Sequence, residues 1–171
     1  RVSGEWCVTN RPTPGFANTE EGYAAFTASR GFGDVAVQIT EACLRSEAGL
    51  RDADGDSPDW IELYNAGTES VSLDGWYLSD DPEEPARWRI PDITLAPGEY
   101  YIIFASGKNR TQGELHTDFA LSAGESVILT TPIGSTADRV ELTQTEPDAS
   151  LARIGSDWRE CASPTPGKAN G

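Results

Sequence analysis

Short runs in which apolar and polar residues alternate dominate the chain from residue 35 onward. Val35, Val37 and Ile39 alternate with small or polar neighbours, and the run 60–65 alternates in the same way. This period of two is typical of a strand with one buried face. Further runs of this kind are 71–78, 88–90, 100–104, 126–130, 139–142 and 151–154. The pattern predicts about eight or nine short strands in a β-sandwich or barrel.

Turn residues divide these runs and complete the pattern. Asp74-Gly75 falls inside the run 71–78 and predicts a turn or bulge there. Ahead of the first strand, the stretch 19–34 begins with acidic and apolar residues that favour a short helix, with Asn18 or Thr19 as its N-cap.

One segment near the start of the chain recurs near its end. Trp6 is followed after five residues by Pro-Thr-Pro-Gly, and so is Trp158; Ala and Asn then follow at the same spacing in both. A common linker composition explains the Pro and Gly but not the Trp at equal distance. We therefore expect two copies of one module's closing segment. Residues 1–18 would be the tail of a preceding module, 19–34 a connector, and 35–171 a complete module.

The charge of the chain excludes two classes of partner. With 28 acidic residues against 13 Lys and Arg, the formal net charge is −15. Such a chain repels nucleic-acid phosphates and anionic lipid surfaces. No run approaches the roughly 20 apolar residues that span a bilayer, so membrane insertion is not expected. The acidity, three Cys and no Met favour an extracellular or cell-surface protein.

Five motifs in order resemble the lamin tail domain family, in its bacterial secreted, tandem-repeat branch. They are Asp54-Gly55-Asp56, the stretch 59–65 (DWIELYN), the stretch 71–80 (VSLDGWYLSD), Leu95-Ala96-Pro97-Gly98 and Phe119-Ala120-Leu121-Ser122. The resemblance covers residues 35–171 and implies an immunoglobulin-like β-sandwich. Bacterial members tend to sit in large exported proteins. The resemblance thus implies a non-catalytic interaction or spacer module with a protein or cell-surface partner.

An acidic loop is the first candidate for binding chemistry. Asp52, Asp54, Asp56 and Asp59 occupy positions one, three, five and eight of this loop. Alternate carboxylates on a tight turn can converge on calcium, although Gly55 stands at position four and so breaks the EF-hand pattern. Alternatively, these Asp and Gly residues serve only the turn before the strand. Calcium binding is therefore an alternative function, and the fold requires no cofactor.

Two further groups extend this alternative. Asp80 and Asp81 would add ligands if their loop meets the acidic loop. Large aromatic rings at strand cores are more often part of the core than of a binding surface. Tyr77 and Tyr100 instead alternate with apolar neighbours, so their rings can point outward and are candidates for stacking on a glycan.

The single histidine does not predict catalysis. His116 would need a Ser and an Asp partner to form a triad, and the chain has no G-x-S-x-G motif. We interpret it as a hydrogen-bonded residue at a strand entrance and expect no enzymatic activity.

The three cysteines leave two alternatives. If each module ties its first strand to its closing segment, Cys43 pairs with Cys161 and Cys7 belongs to a missing upstream partner. Such a bridge would contribute about 4 kcal/mol in the chain-entropy model. The other alternative is three free, partly buried thiols.

Overall fold

A computed structural model describes residues 13, 15–29, 36–143 and 146–171. The chain divides into two compact units, residues 1–36 and 37–171. Trp6, Cys7 and most of the predicted upstream tail lie outside the described residues.

Among the described residues of the first unit, 20–29 form the helix α1 (Glu20–Ser29). Thr19 is its N-cap, because the Thr19 hydroxyl accepts the backbone N–H of Gly22 at 3.0 Å. Glu20 and Glu21 lie in the first turn, where negative charge stabilises the helix dipole. Phe26 is buried and its ring centroid lies 6.0 Å from that of Phe16. The short helix expected in the connector is present and runs for ten residues.

The second unit is an all-β, immunoglobulin-like sandwich. Its strands are β1 (Val37–Cys43), β2 (Asp59–Asn65), β3 (Val71–Ser72), β4 (Tyr77–Ser79), β5 (Trp88–Arg89), β6 (Thr94–Leu95), β7 (Tyr100–Ala105), β8 (Ser126–Thr130), β9 (Thr136–Glu141), β10 (Ser150–Ile154) and β11 (Asp157–Cys161).

The strands form two main antiparallel sheets. The larger has the order β11-β10-β1-β2-β7, and the smaller has the order β5-β4-β8-β9, while β3 and β6 pair separately. The core consists of fully buried aliphatic side chains from both sheets and the segments between them, among them Ile39, Ile61, Leu63, Leu78, Ile103 and Leu129. The predicted fold class is confirmed.

The interruption expected at Asp74-Gly75 divides the predicted run 71–78 into β3 and β4. Gly75 has φ of +77°, a conformation that side chains rarely adopt, and the N–H of Trp76 closes the turn on the carbonyl of Leu73. The chain therefore leaves one sheet at β3 and enters another at β4.

Alternation also divides the outer and inner faces of the larger sheet. Ile61 and Leu63 on β2 belong to the core, whereas Trp60, Glu62 and Tyr64 point to the opposite face. Trp60 and Glu62 are nonetheless buried. This second face must therefore be covered by something other than the smaller sheet.

A partly buried ion pair joins the two sheets beside β1. Asp138 on β9 and Arg153 on β10 form a salt bridge at 2.6 Å. Asp138 also accepts the N–H of Ile39 at 2.8 Å, and the Arg153 guanidinium donates to the carbonyl of Ile39 at 2.9 Å. The two side chains thus supply the backbone partners of Ile39, next to the irregular register between Ile39 and Glu41.

Replacing Asp138 by Ala should lower the free energy of unfolding by about 2–3 kcal/mol. The substitution leaves the N–H of Ile39 and the Arg153 guanidinium without their charged acceptor. Urea denaturation measures the loss. The matched control is Asp157→Ala, which removes an exposed pair with Arg159 and should cost less than about 0.5 kcal/mol. Equal losses in the two variants would contradict the structural role of Asp138.

Candidate functional site

The acidic loop is organised by the first of its carboxylates. Asp52 is buried, and its Oδ1 accepts the backbone N–H groups of Asp54 and Asp56 at 3.0 and 2.9 Å. The N–H of Gly55 donates to the carbonyl of Asp52, and Gly55 has φ of +86°. Asp52 therefore has the turn-forming role that we described above as the alternative to metal binding.

A lysine from a distant loop occupies the centre of the carboxylate cluster. The Lys108 ammonium lies 2.5 Å from Asp52 and 2.8 Å from both Asp54 and Asp56. Arg110 adds a second cation, 2.6 Å from Asp54. Hydrogen bonds from Lys108 and then Arg110 lower the pKa of Asp54 to about 2. A hydrogen bond from Lys108 also lowers the pKa of Asp52. Two of the chain's own cations thus pair with the three carboxylates.

The other predicted ligands lie apart from this cluster. Across the described residues, one group of carboxylates is close enough to share an ion, and it consists of Asp52, Asp54 and Asp56. Asp59 accepts the N–H of Ser46 at 3.0 Å, and burial raises its pKa. Asp80 pairs with Arg87 at 2.5 Å, and Asp81 accepts the N–H of Glu83. The structure thus brings three of the six candidate carboxylates together.

The two candidate stacking tyrosines belong to different sheets. Tyr77 lies on β4 of the smaller sheet and Tyr100 on β7 of the larger. Tyr100 stacks on Tyr64, with ring centroids 4.4 Å apart and an angle of 28° between the rings. Tyr77 and Tyr100 are half-buried, so each keeps an accessible part of its ring. Because they lie in different sheets, each remains a separate candidate and not part of one aromatic platform.

The histidine is a buried structural residue. His116 is fully buried and its Nδ1 lies 2.9 Å from the hydroxyl of Ser106. Its ring stacks on Phe104 with centroids 5.1 Å apart. Burial, followed by the positive charges of Arg110 and Lys108, lowers the pKa of His116. These contacts agree with the interpretation of His116 as a hydrogen-bonded residue near a strand.

The predicted Cys43–Cys161 disulfide is not formed, and both residues are thiols. A whole strand, β10, lies between the two cysteines. Ala42 on β1 pairs with Leu151 on β10, and Ser150 on β10 pairs with Cys161 on β11. Two strand spacings are about 10 Å, beyond the roughly 7 Å between Cα atoms that a disulfide spans. The Cys43 thiol instead donates to the carbonyl of Ala149 at 3.1 Å. The alternative of thiols is favoured for this pair.

Sequence reasoning missed the second cluster of carboxylates, which lies on the outer face of the larger sheet. Glu41 on β1 and Glu62 on β2 are directly opposite each other, and both are fully buried. Like charges in this position repel. Burial raises the pKa of Glu41, and burial together with the nearby Glu41 charge raises the pKa of Glu62 to about 7. The signal in the sequence is a Glu within each of two strands that are otherwise largely buried.

The segment 164–170, which is the last part of the repeated segment 158–170, covers this pair. From here on, the name closing segment refers to residues 164–170 alone. The backbone N–H of Thr165 donates to Glu41 at 3.1 Å and that of Gly167 donates to Glu62 at 2.6 Å. Asn170 Nδ2 donates to the carbonyls of Thr40 and Arg153 at 2.8 and 3.2 Å. We call the acceptors, namely the Glu41 and Glu62 carboxylates with the Thr40 and Arg153 carbonyls, the socket.

Side chains of the sheet satisfy the remaining carboxylate oxygens. The Thr40 hydroxyl donates to Glu62 at 2.7 Å, and the Ser150 hydroxyl donates to Glu41. Beside the socket, Pro164 and Pro166 line a cavity of about 250 Å³ together with Trp60 and Cys43. The second copy of the Pro-Thr-Pro-Gly sequence is therefore an integral part of the folded unit.

The sequence model of the Lamin Tail Domain family matches residues 35–144 of this chain. A comparison with curated proteins finds no match. The matched range contains both socket carboxylates, whereas β10, β11 and the closing segment follow it. None of the helices in the described residues has the length and apolar character needed to cross a membrane.

Replacing Glu62 by Gln should remove a part of the pH dependence of stability. The pKa of Glu62 is about 7 in the fold against an ordinary value of 4.5, so the folded state holds this proton more tightly. Its protonation stabilises the fold fully below pH 4.5, and that contribution is lost as the pH rises to about 7. Relative to E62Q, the free energy of unfolding of the wild type should fall by roughly 3 kcal/mol between pH 4.5 and pH 7.

Urea denaturation between pH 4.5 and 8 measures this difference. Glu83→Gln, at an exposed position, is the control and should leave the profile of the wild type unchanged. Parallel profiles for E62Q and the wild type would show that Glu62 does not titrate in this window.

Proposed function

We propose that the chain, which belongs to the lamin tail domain family, is a non-catalytic interaction or spacer module of a larger exported, surface-associated protein. Its immunoglobulin-like sandwich is of the interaction type that the family suggests. The exported setting rests on the resemblance to bacterial secreted members and on the net charge of −15, which disfavours nucleic-acid and lipid partners. The partner is a protein or a cell-surface component.

The docking of the closing segment is the observation that supports a spacer role. A spacer must hold the chain that leaves it in a fixed direction. Here Thr165, Gly167 and Asn170 bond to strands β1, β2 and β10 in the larger sheet. The closing segment is thereby attached to three strands of the sheet and not to a loop.

The use of the titratable groups supports the absence of catalysis. Lys108 neutralises the acidic loop, His116 is fully buried beside Phe104, and Glu62 bonds to the closing segment. A general acid or base must reach a substrate within hydrogen-bond distance. These groups are instead committed to contacts within the fold.

Hydrogen exchange tests the spacer role directly. We expect the amides of Thr165 and Gly167 to exchange at least about 100-fold more slowly than in a free peptide of residues 158–171, because both are donors to buried carboxylates. Exchange at the rate of the peptide would show that the exit of the chain is not held, and the spacer role would be withdrawn.

Asn170→Ala should lower the free energy of unfolding by about 1–2 kcal/mol, since it leaves two backbone carbonyls without their donor. Lys168→Ala, in the same turn but exposed, is the matched control and should change stability by less than about 0.5 kcal/mol. Urea denaturation compares the variants, and equal effects would contradict the role of Asn170.

Calcium binding by the acidic loop is the second candidate function. Its support is the convergence of Asp52, Asp54 and Asp56, whose oxygens lie within 4.8 Å of one another. Calcium prefers several such oxygens. Any bound ion would have to displace the Lys108 ammonium, which donates to all three carboxylates. Calcium affinity is therefore expected to depend on Lys108.

Lys108→Ala separates the two uses of the loop. Without its central cation the variant should be less stable than the wild type, and calcium at 100 times its dissociation constant should raise the stability of the variant by about 2.7 kcal/mol. Thermal melts with calcium or chelator measure this change. Arg89→Ala, which breaks an exposed pair with Asp74, is the control. If millimolar calcium leaves the melting temperatures of both the wild type and K108A unchanged, the calcium function is excluded.

Glycan binding through Tyr77 or Tyr100 is part of the same alternative. The two residues lie in different sheets, so each would act separately. A glycan array with the wild type, Tyr77→Ala and Tyr100→Ala would assign any signal to one of them.

A further inference from the structure

The repeat in the sequence is also a repeat in local structure. We call residues 12–18 the leading segment. In it the N–H of Phe16 donates to the carbonyl of Thr13 at 3.0 Å, and in the closing segment the N–H of Lys168 donates to the carbonyl of Thr165 at the same distance. The glycine of each turn has a positive φ, +82° at Gly15 and +78° at Gly167. The residues of the leading segment that the structure describes, 13 and 15–18, therefore make the same turn contacts as their counterparts in the closing segment.

The same side-chain hydrogen bond closes both turns. The Thr13 hydroxyl donates to Asn18 Oδ1 at 2.5 Å, and the Thr165 hydroxyl donates to Asn170 Oδ1 at 2.7 Å. This bond fixes the orientation of the Asn amide. In the closing segment the result is that Asn170 Nδ2 points at the carbonyls of the socket.

The leading segment has every donor that the closing segment uses. Docking depends on two backbone N–H groups and one Asn side chain, from Thr165, Gly167 and Asn170. The corresponding residues are Thr13, Gly15 and Asn18. Over the seven positions the two segments differ at one, where Phe16 corresponds to Lys168. Lys168 is exposed in the docked closing segment, so this difference does not alter the contacts to the socket.

We propose that the leading segment docks into the socket of another module of this fold. The socket of residues 37–171 is already filled by its own closing segment. The partner must therefore supply a second socket, with a Glu on each of two neighbouring strands and two exposed carbonyls beside them. This inference rests on the proposed spacer function, and it identifies one contact by which successive modules are held together.

The first test is made in the full chain by Lys168→Phe. This one substitution gives the closing segment the sequence of the leading segment from Pro to Asn. If the socket accepts that sequence, the melting temperature should stay within about 1 °C of the wild type, whereas Asn170→Ala should lower it by several degrees. A loss in K168F as large as in N170A would overturn the proposal.

The second test supplies the leading segment as a separate peptide. The receptor is the full chain with Gly15→Pro and Gly167→Pro, because proline fixes φ near −65° and has no N–H to donate. Each substitution is incompatible with the observed turn. Gly167→Pro removes the N–H that bonds to Glu62 and should empty the socket, and Gly15→Pro should keep the leading segment of the receptor from competing for it. The probes are fluorescent peptides of residues 6–18 and 158–170, and the matched control is the 6–18 peptide with the Gly15→Pro change.

We expect the 6–18 and 158–170 peptides to bind the receptor with dissociation constants within about tenfold of each other, in the millimolar range typical of a segment freed from its tether. The control peptide and the unsubstituted chain, whose socket is filled, should bind at least about tenfold more weakly. Binding of 158–170 without binding of 6–18 would overturn the proposal, and so would the absence of binding by both.

The outcome is distinguishable from a failure of the spacer function. If the 6–18 peptide does not bind while Thr165 and Gly167 remain protected in the wild type, the docking of the leading segment is excluded and the spacer role stands. If the receptor does not fold, K168F decides by itself, because it leaves every donor of the turn in place.

Discussion

Two carboxylates that face each other on neighbouring buried strands impose the main constraint on this molecule. Glu41 and Glu62 are opposite each other and are fully buried. Desolvation and mutual repulsion both oppose ionisation there. Each carboxylate needs donors that the two strands alone do not supply. The chain meets this need by returning over the outer face of the sheet and directing two backbone N–H groups at the pair. The fold is therefore completed beyond residue 144, where the family match ends.

The molecule neutralises its two carboxylate clusters by different means. The acidic loop lies near water, and its three clustered carboxylates pair with a lysine and an arginine. The socket uses uncharged hydroxyl and amide donors, with a raised pKa for both glutamates. A cation inside the sheet would carry its own desolvation cost. Neutral donors avoid that cost and leave the closing segment able to bind through its backbone.

Local sequence pattern predicted the elements, and long-range pairing explains what it missed. Alternation located β2 and β7, and Asp74-Gly75 marked the division between β3 and β4. Edge strand β11 has a polar sequence and an exposed surface, so it lacks the signal of a half-buried strand.

The candidate site was harder to predict than the strands. Lys108 is separated from the acidic loop by some 50 residues, and no local pattern connects them. Glu62 lies where alternation predicts a solvent-facing side chain, and only the return of the closing segment buries it. The disulfide prediction assumed that the first strand is tied to the end of the module, and it could not foresee that β10 lies between β1 and β11. These errors share one cause, since contacts between distant segments are set by topology and not by neighbouring residues.

Arg153 explains the fixed spacing within the repeated motif. The Trp158 ring lies 4.6 Å from its guanidinium, and Asn170 donates to its backbone carbonyl. Trp158 and Asn170, the first and last residues of the motif, thus both contact Arg153, the first at its side chain and the second at its main chain. The intervening chain has to leave β11, cross the glutamate pair and return within that length. The number of residues between Trp158 and Asn170 is therefore set by the path that joins their two contacts with Arg153, and an inserted or deleted residue would break one of these contacts.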